Sequence, residues 1–409
     1  MLKKIYNLIN DVVKYALRGN FKQITPRIYE SYNSQMLNFR DRKSLKNIKI
    51  INKKCHSGVF ISKSLYNIES HILSLGLIKQ SISSANNLNI IAVSDITRKN
   101  INIDILYIDN ISKLEKKLPK ARYYWVTSLE LVSYLNLLQI PYNNIFLIED
   151  QNISQVFFVS RFFLSVDVIS FEIFYNSNYD YNPFANSNFL TLTLPESYNR
   201  YQSFQTVNEK IIKLQNIQLF YGLRHEISWV GCGLSYKFLL SKAKQFNYSH
   251  VIICEDDIEF SDDFNDNYQT VLRLLNTYEQ QWEIFSGLMP RVDISKIKDV
   301  FRFKSKSYVS LQFMLGMVFN IYNRQSYELI LKWNNSNLLR EQNQIDQYIK
   351  QNINSVILPA KFIVKLKSNT SSTIWLDNNI ETKYENSIAN AEKTVQSYVE
   401  IAQQIRVIE

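Results

Sequence analysis

Short apolar runs alternate with helix-like stretches through the first half of the chain. GVFIS (58–62), NIIAVSD (89–95), ILYID (105–109), YYWVTS (123–128) and NIFLIED (144–150) read as short buried strands. The segments 64–80 and 129–139 between them read as helices, and this alternation predicts α/β structure with a parallel sheet. The run VFFVSRFFLSVDVISFEIF (156–174) is apolar but carries Arg161, Asp167 and Glu172, so it reads as buried strands or helix, not a membrane span. A second α/β unit opens near residue 187 with FLTLTL (189–194), a polar turn and a helix to about residue 214.

The ends read differently. In residues 2–18, Leu2, Ile5, Ile9, Val12 and Ala16 recur at helical spacing among Lys3, Lys4, Lys14 and Arg18, before a stop at Gly19. Such a helix either lies on an anionic lipid surface or packs on the body with solvated lysines. Residues 20–54 read as a basic connector of short helices, and the tail from 377 as polar and helical. The expected organisation is a basic segment (1–54), a Rossmann-like accessory module (55–185), a main domain (187–376) and a helical tail (377–409).

Composition changes this picture in one respect. The chain has 409 residues, 46% of them hydrophobic, enough for two cores. Its 47 Lys/Arg against 37 Asp/Glu suggest a polyanion partner. However, residues 1–54 hold 13 basic and 3 acidic residues, and the remainder is balanced at 34 of each. The excess is one terminal arm suited to an anionic surface, membrane or nucleic acid; without interleaved aromatics a nucleic-acid-binding protein using this arm ranks last among the alternatives, and no nucleic-acid partner is expected. Cys55, Cys232 and Cys254 form neither a disulfide framework nor a zinc motif. With no signal-peptide pattern at the start, the expected setting is cytoplasmic, peripheral to the inner membrane face. No glycine lies between Gly76 and Gly222, so the accessory module has no glycine-rich phosphate turn and is expected to be structural or to position the acceptor.

The chemistry concentrates in SHVIICEDDIEF (249–260). Val251 to Cys254 form a run suited to a strand buried on both faces, and Glu255, Asp256 and Asp257 follow at once. Ligands of open α/β sheets collect at the carboxyl ends of strands. In extended chain Glu255 and Asp257 share one side and Asp256 takes the other. Three adjacent carboxylates call for a positive partner, and a hard divalent cation, Mg²⁺ or Mn²⁺, suits oxygen ligands of this kind. The alternative is an acidic helix start.

The stretch WVGCGLSYKFLLSKAKQFNYSHVIICEDDIEF (229–260) resembles glycosyltransferase family 25, the lipooligosaccharide and collagen galactosyltransferase group. Gly231, Cys232, Leu234 and Ser235 match its Gly-Cys-x-Leu-Ser-His helix, and Glu255 to Asp257 match its acidic strand end. LTLPESYNR (192–200), WEIFSG (282–287), LGMVFNIYNRQSYELIL (315–331) and QIDQYI (344–349) resemble further segments, so the likeness covers roughly residues 187–375. The resemblance implies a GT-A-like domain that moves a hexose, galactose by family, from a UDP-sugar to a glycan or glycolipid acceptor in lipooligosaccharide or other surface glycan biosynthesis. It also implies metal ligation by Glu255 and Asp257, donor binding by Arg200, Ser235 and Asp256, and Asp346 as catalytic base, although Asp346 is equally suited to capping the helix that follows. The sequence departs from the family pattern at Tyr236 (histidine in the family), Trp229 (glutamate) and Pro195 (aspartate). These departures leave an inactive, binding-only homologue as an alternative reading.

Overall fold

Strands buried on both faces need layers above and below them, and the chain builds two sheets on this rule. The computed structural model describes residues 21–96, 102–114, 118–149, 153–278, 282–367, 380–402 and 405–408. Helix α1 (Phe21–Ser57) leads into β1 (Val59–Ile61), α2 (Tyr66–Ser74), β2 (Lys79–Gln80), β3 (Leu88–Ala92), β4 (Ile105–Ile108), β5 (Tyr123–Val126), α3 (Leu129–Leu137) and β6 (Ile145–Leu147). These six strands form an all-parallel sheet in the order β2-β1-β3-β4-β5-β6. Every residue of β3, β4, β5 and β6 is buried, which is why the apolar runs were continuous and not alternating.

Two helices then cover the junction, α4 (Gln155–Ser165) and α5 (Phe171–Ser177). Ser154 and Ser170 cap them, accepting from the amides of Val156 and Ile173. The ambiguous apolar run 156–174 is therefore helical. It lacks a 3.6-residue period because α4 is buried all round from Phe157 to Ser165.

The second sheet begins with β7 (Phe189–Thr193), α6 (Tyr198–Leu214), β8 (Gln218–Tyr221), α7 (Ser228–Gln245), β9 (His250–Glu255), β10 (Ile258–Phe260) and α8 (Phe264–Thr277). It continues through β11 (Ile284–Ser286), β12 (Ile297–Phe303), β13 (Lys306–Leu311), β14 (Phe319–Asn323), α9 (Arg324–Leu331), α10 (Arg340–Asn343), α11 (Ile345–Asn352), β15 (Val356–Pro359) and β16 (Val364–Leu366). The chain closes with α12 (Ile380–Ile401) and β17 (Arg406–Ile408). Nine strands form one mixed sheet, β17-β12-β13-β15-β11-β14-β9-β7-β8, and β10 pairs with β16 in a separate antiparallel ribbon. The fold class is thus α/β: a parallel sheet followed by a mixed one.

Three expectations change. Residues 20–54 are not a series of short helices: α1 is one helix of 37 residues. Its buried positions Leu37, Ser44, Ile48, Ile51 and Cys55 fall on a single helical face. The expected helix over 64–80 is shorter, and its last residues become edge strand β2, paired in parallel with β1. The polar tail is not only helical, since β17 adds to the main sheet beside β12. The amphipathic segment 2–18 lies outside the described residues. Among the described residues no helix is long and apolar enough to cross a membrane.

Candidate active site

In the main sheet β7 lies between β8 and β9 and is parallel to both. The chain passes from β7 to one neighbour and then crosses back to the other, so a crevice opens at the carboxyl ends of β7 and β9. The acidic triplet occupies it. Glu255 ends β9, and Asp256 and Asp257 form the turn into β10. The turn is pinned on three sides. The Glu255 amide donates to Val318 O (2.9 Å), the Lys367 amide donates to Asp257 O (2.7 Å), and the Asn208 side chain bonds Ile258 O and the Phe260 amide, each at 3.0 Å.

The three carboxylates take different partners. Asp256 is buried; its Oδ2 accepts from Thr193 Oγ1 (2.7 Å) and its Oδ1 from Arg200 Nε (2.5 Å). Arg200 Nη2 also lies 3.2 Å from Asp257 Oδ2. Burial opposes the charge on Arg200, but Asp256, Asp257 and Glu255 together raise its pKa above the usual guanidinium value. Burial raises the Asp257 carboxyl against the pull of Arg200, and Asp257 Oδ1 is buried with no hydrogen-bond partner among the described residues. Glu255 is pushed above the ordinary carboxylate range by burial first and by the charge on Asp257 second. Its Oε1 is 3.5 Å from the hydroxyl of Tyr236, which donates to Met317 O at 2.9 Å, and 4.0 Å from Cys232 Sγ. The tyrosine that replaces the family's histidine thus still touches the site.

The remaining expected residues fall nearby with altered partners. Ser235 is buried and donates to Gly231 O (2.8 Å) and Leu223 O (3.2 Å), so its hydroxyl is engaged by backbone while its side chain forms part of the cleft wall. Both oxygens of Asp256 are likewise engaged, and its direct effect is on Arg200. Asp346 sits in the first turn of α11; its carboxylate accepts from the amide of Gln347 (2.8 Å). Burial raises its pKa. It lies close enough for its charge to act on Glu255 and Cys232. Asp346 thus acts electrostatically on Glu255 although about 90 positions separate it from the triplet.

The cleft has an empty volume of about 660 Å³, open mouth included. Its walls are Thr193, Arg200, Ser235 and Glu255 on one side and Tyr142, Asn143 and Arg224 on another. Tyr142 and Asn143 precede β6, so the loop before the edge strand of the first sheet supplies part of the wall. Sequence reading missed this contribution and also missed Arg224, which donates to Tyr142 O (3.0 Å) and to Ile145 O. Among the described residues no three His, Cys, Asp or Glu side chains form a ready metal cage. The residues fit a cation on other terms: burial pushes Glu255 and Asp257 toward their neutral forms, which a cation would reverse, and Asp257 Oδ1 has no hydrogen-bond partner among the described residues. Ligand oxygens would complete such a shell.

An α/β chain with an acidic turn at a switch point of its mixed sheet is consistent with a glycosyltransferase fold. Residues 188–328 match the family model described as Glycosyltransferase family 25 (LPS biosynthesis protein), the family resembled by the Gly-Cys-x-Leu-Ser helix and the acidic triplet. The match contains Arg200, Ser235 and the triplet, and stops before Asp346. No curated protein matches the chain.

Proposed function

We propose that the protein transfers a hexose, galactose by family resemblance, from a UDP-sugar to a saccharide acceptor in lipopolysaccharide or lipooligosaccharide assembly. One observation carries this reading above the others: the acidic turn, within the segment that matches the family-25 model, sits at the crevice of the sheet with Asp257 Oδ1 buried and without a hydrogen-bond partner among the described residues. Glu255 and Asp257 would hold Mn²⁺ or Mg²⁺, which supplies charge neutralisation for the departing diphosphate. Arg200, fixed by Asp256, presents its guanidinium beside that position. The acceptor hydroxyl oxygen attacks the anomeric carbon, the bond from that carbon to the phosphate oxygen breaks, and UDP leaves with the bonding pair. Asp346 takes the hydroxyl proton.

The test is UDP release from a panel of UDP-hexoses with saccharide acceptors, with and without Mn²⁺. The expected result is acceptor-dependent turnover that needs the metal, with UDP-galactose preferred. Metal-dependent UDP binding without turnover would instead favour the inactive homologue, for which the burial of Tyr236 against Glu255 is the structural argument. Peripheral attachment to anionic membrane through residues 1–18 belongs to the same reading. Removing them is expected to release the chain from anionic liposomes, and unchanged sedimentation would overturn that part.

A further inference from the structure

A second cleft adjoins the first. It lies between α1, the start of β5, the loop before β6 and the loop 222–227, and it shares Asn143, Arg224, His225 and Ser228 with the acidic cleft. Its empty volume is about 730 Å³, open mouth included. Four cationic side chains line it: Arg40 and Lys43 from α1, Arg122 at the head of β5, and Arg224. Arg40 lies 3.9 Å from Asp41, and Arg224 is buried 3.8 Å from Glu196. The acid in the lining, Glu226, is already engaged: its Oε1 accepts from Tyr123 Oη (2.7 Å) and its Oε2 from Asn47 Nδ2 (3.4 Å). Arg122 Nη1 is buried with no hydrogen-bond partner among the described residues. A buried guanidinium N–H without an acceptor is costly, and four cationic side chains against one acid leave the cleft with an excess of positive charge that concentrates anions.

We propose that this basic cleft binds an oxyanion, a phosphate or carboxylate group, through Arg122 and Lys43 with Arg224 at its inner wall. A guanidinium fork matches two oxygens of either group. The shared wall lets an acceptor place its charged group here with its reacting hydroxyl toward Glu255, whereas a nucleotide diphosphate held here belongs to a second nucleotide, apart from the donor at Glu255. Two sources carry this chemistry: the diphosphate of a nucleotide, or an acidic substituent on the acceptor saccharide. The inference gives the accessory module and α1 a ligand-binding role, which the absent glycine-rich turn did not suggest. It does not use the transfer reaction: a chain that binds oxyanions here and transfers no sugar would leave it standing.

The experiment is calorimetric titration of the full chain at low salt with UDP, inorganic pyrophosphate and glucose 6-phosphate. The native chain is compared with Lys43→Gln, Arg122→Gln and the double variant. Lys43 is exposed, so its replacement tests the site even if the variants at Arg122 melt early. Weakening of UDP and pyrophosphate by tenfold or more assigns the cleft to the nucleotide. Weakening of glucose 6-phosphate by the same factor, with UDP unchanged, assigns it to the acceptor. Arg122→Lys should recover part of either loss. Changes under tenfold for all three probes in the double variant, or no binding of any to the native chain, overturn the proposal.

Discussion

Arg161 and Glu196 form a two-pronged ion pair with no exposed side-chain surface: Nη1 is 2.6 Å from Oε1 and Nη2 is 3.1 Å from Oε2. The pair joins three parts of the molecule. Arg161 Nε donates to Gly222 O (2.8 Å), just past β8, and Glu196 Oε1 accepts from the Leu147 amide of β6 (3.1 Å). Arg224, at the wall of both clefts, stands 3.8 Å from the same oxygen. Glu196 therefore ties the edge of the first sheet to the loops that frame the candidate active site.

Glu196→Gln should destabilise the chain by about 3–5 kcal/mol, because it leaves the Arg161 charge buried without its partner. Burial alone would raise the Glu196 carboxyl, yet Arg161 first and Arg224 second hold it below its ordinary value of 4.5. Its stabilising contribution is thus complete above that value and is lost as pH falls through the lower, folded one. Denaturant unfolding of native and variant chains checks this. The difference should be full at neutral pH and shrink in acid, and equal stability at neutral pH would remove the tie.

Asp257→Asn should leave the fold intact and lower sugar transfer by at least a hundredfold, about 2.7 kcal/mol of barrier. The turn itself is held by backbone and Asn208, not by the Asp257 side chain. Removing one charge also relieves the crowding among three carboxylates, so the melting temperature should hold or rise. Stimulation by added Mn²⁺ should vanish with the activity. Full turnover in the variant would eliminate the metal assignment.

The strands and the acidic triplet were legible in the sequence because burial on both faces writes an uninterrupted apolar run, and the run ending at Cys254 leads straight into the charges. The relation of Glu255 to Asp346 was legible only through family resemblance, since no local spacing joins them. Other features left no pattern. Arg161 is a lone charge in an apolar string and Glu196 a lone acid in a polar turn, and neither string names the other. The single helix α1 was hidden by its many lysines and arginines, although Leu37, Ser44, Ile48, Ile51 and Cys55 carry the helical period. The partners of Ser235 and Asp256 were not legible because sequence shows a polar side chain but not whether a nearby carbonyl, hydroxyl or guanidinium already engages it.

Gly231→Ala should reduce stability despite improving helix propensity. The change gains up to about 1 kcal/mol from propensity within α7. A methyl group there would meet the His225 amide nitrogen at 2.8 Å and the Arg224 carbonyl carbon at 3.0 Å. Both are backbone atoms of the loop between the two clefts, so they cannot rotate away, and overpacking of this kind costs about 1–3 kcal/mol. The variant should unfold earlier in denaturant and bind UDP more weakly. A more stable variant would show that the loop can yield.

Asp346→Asn separates a catalytic base from a residue that merely starts a helix. An asparagine oxygen can accept from the Gln347 amide as the carboxylate does, so the first turn of α11 should persist and the melting temperature should not move. What the amide loses is the capacity to take a proton. If Asp346 removes the acceptor's proton, kcat should fall by about 10²–10⁴-fold while UDP affinity stays unchanged. Single-turnover measurement with saturating donor checks the chemical step directly. Transfer at the native rate would reduce Asp346 to a helix-start residue and send the search for the base to the residues that line the cleft.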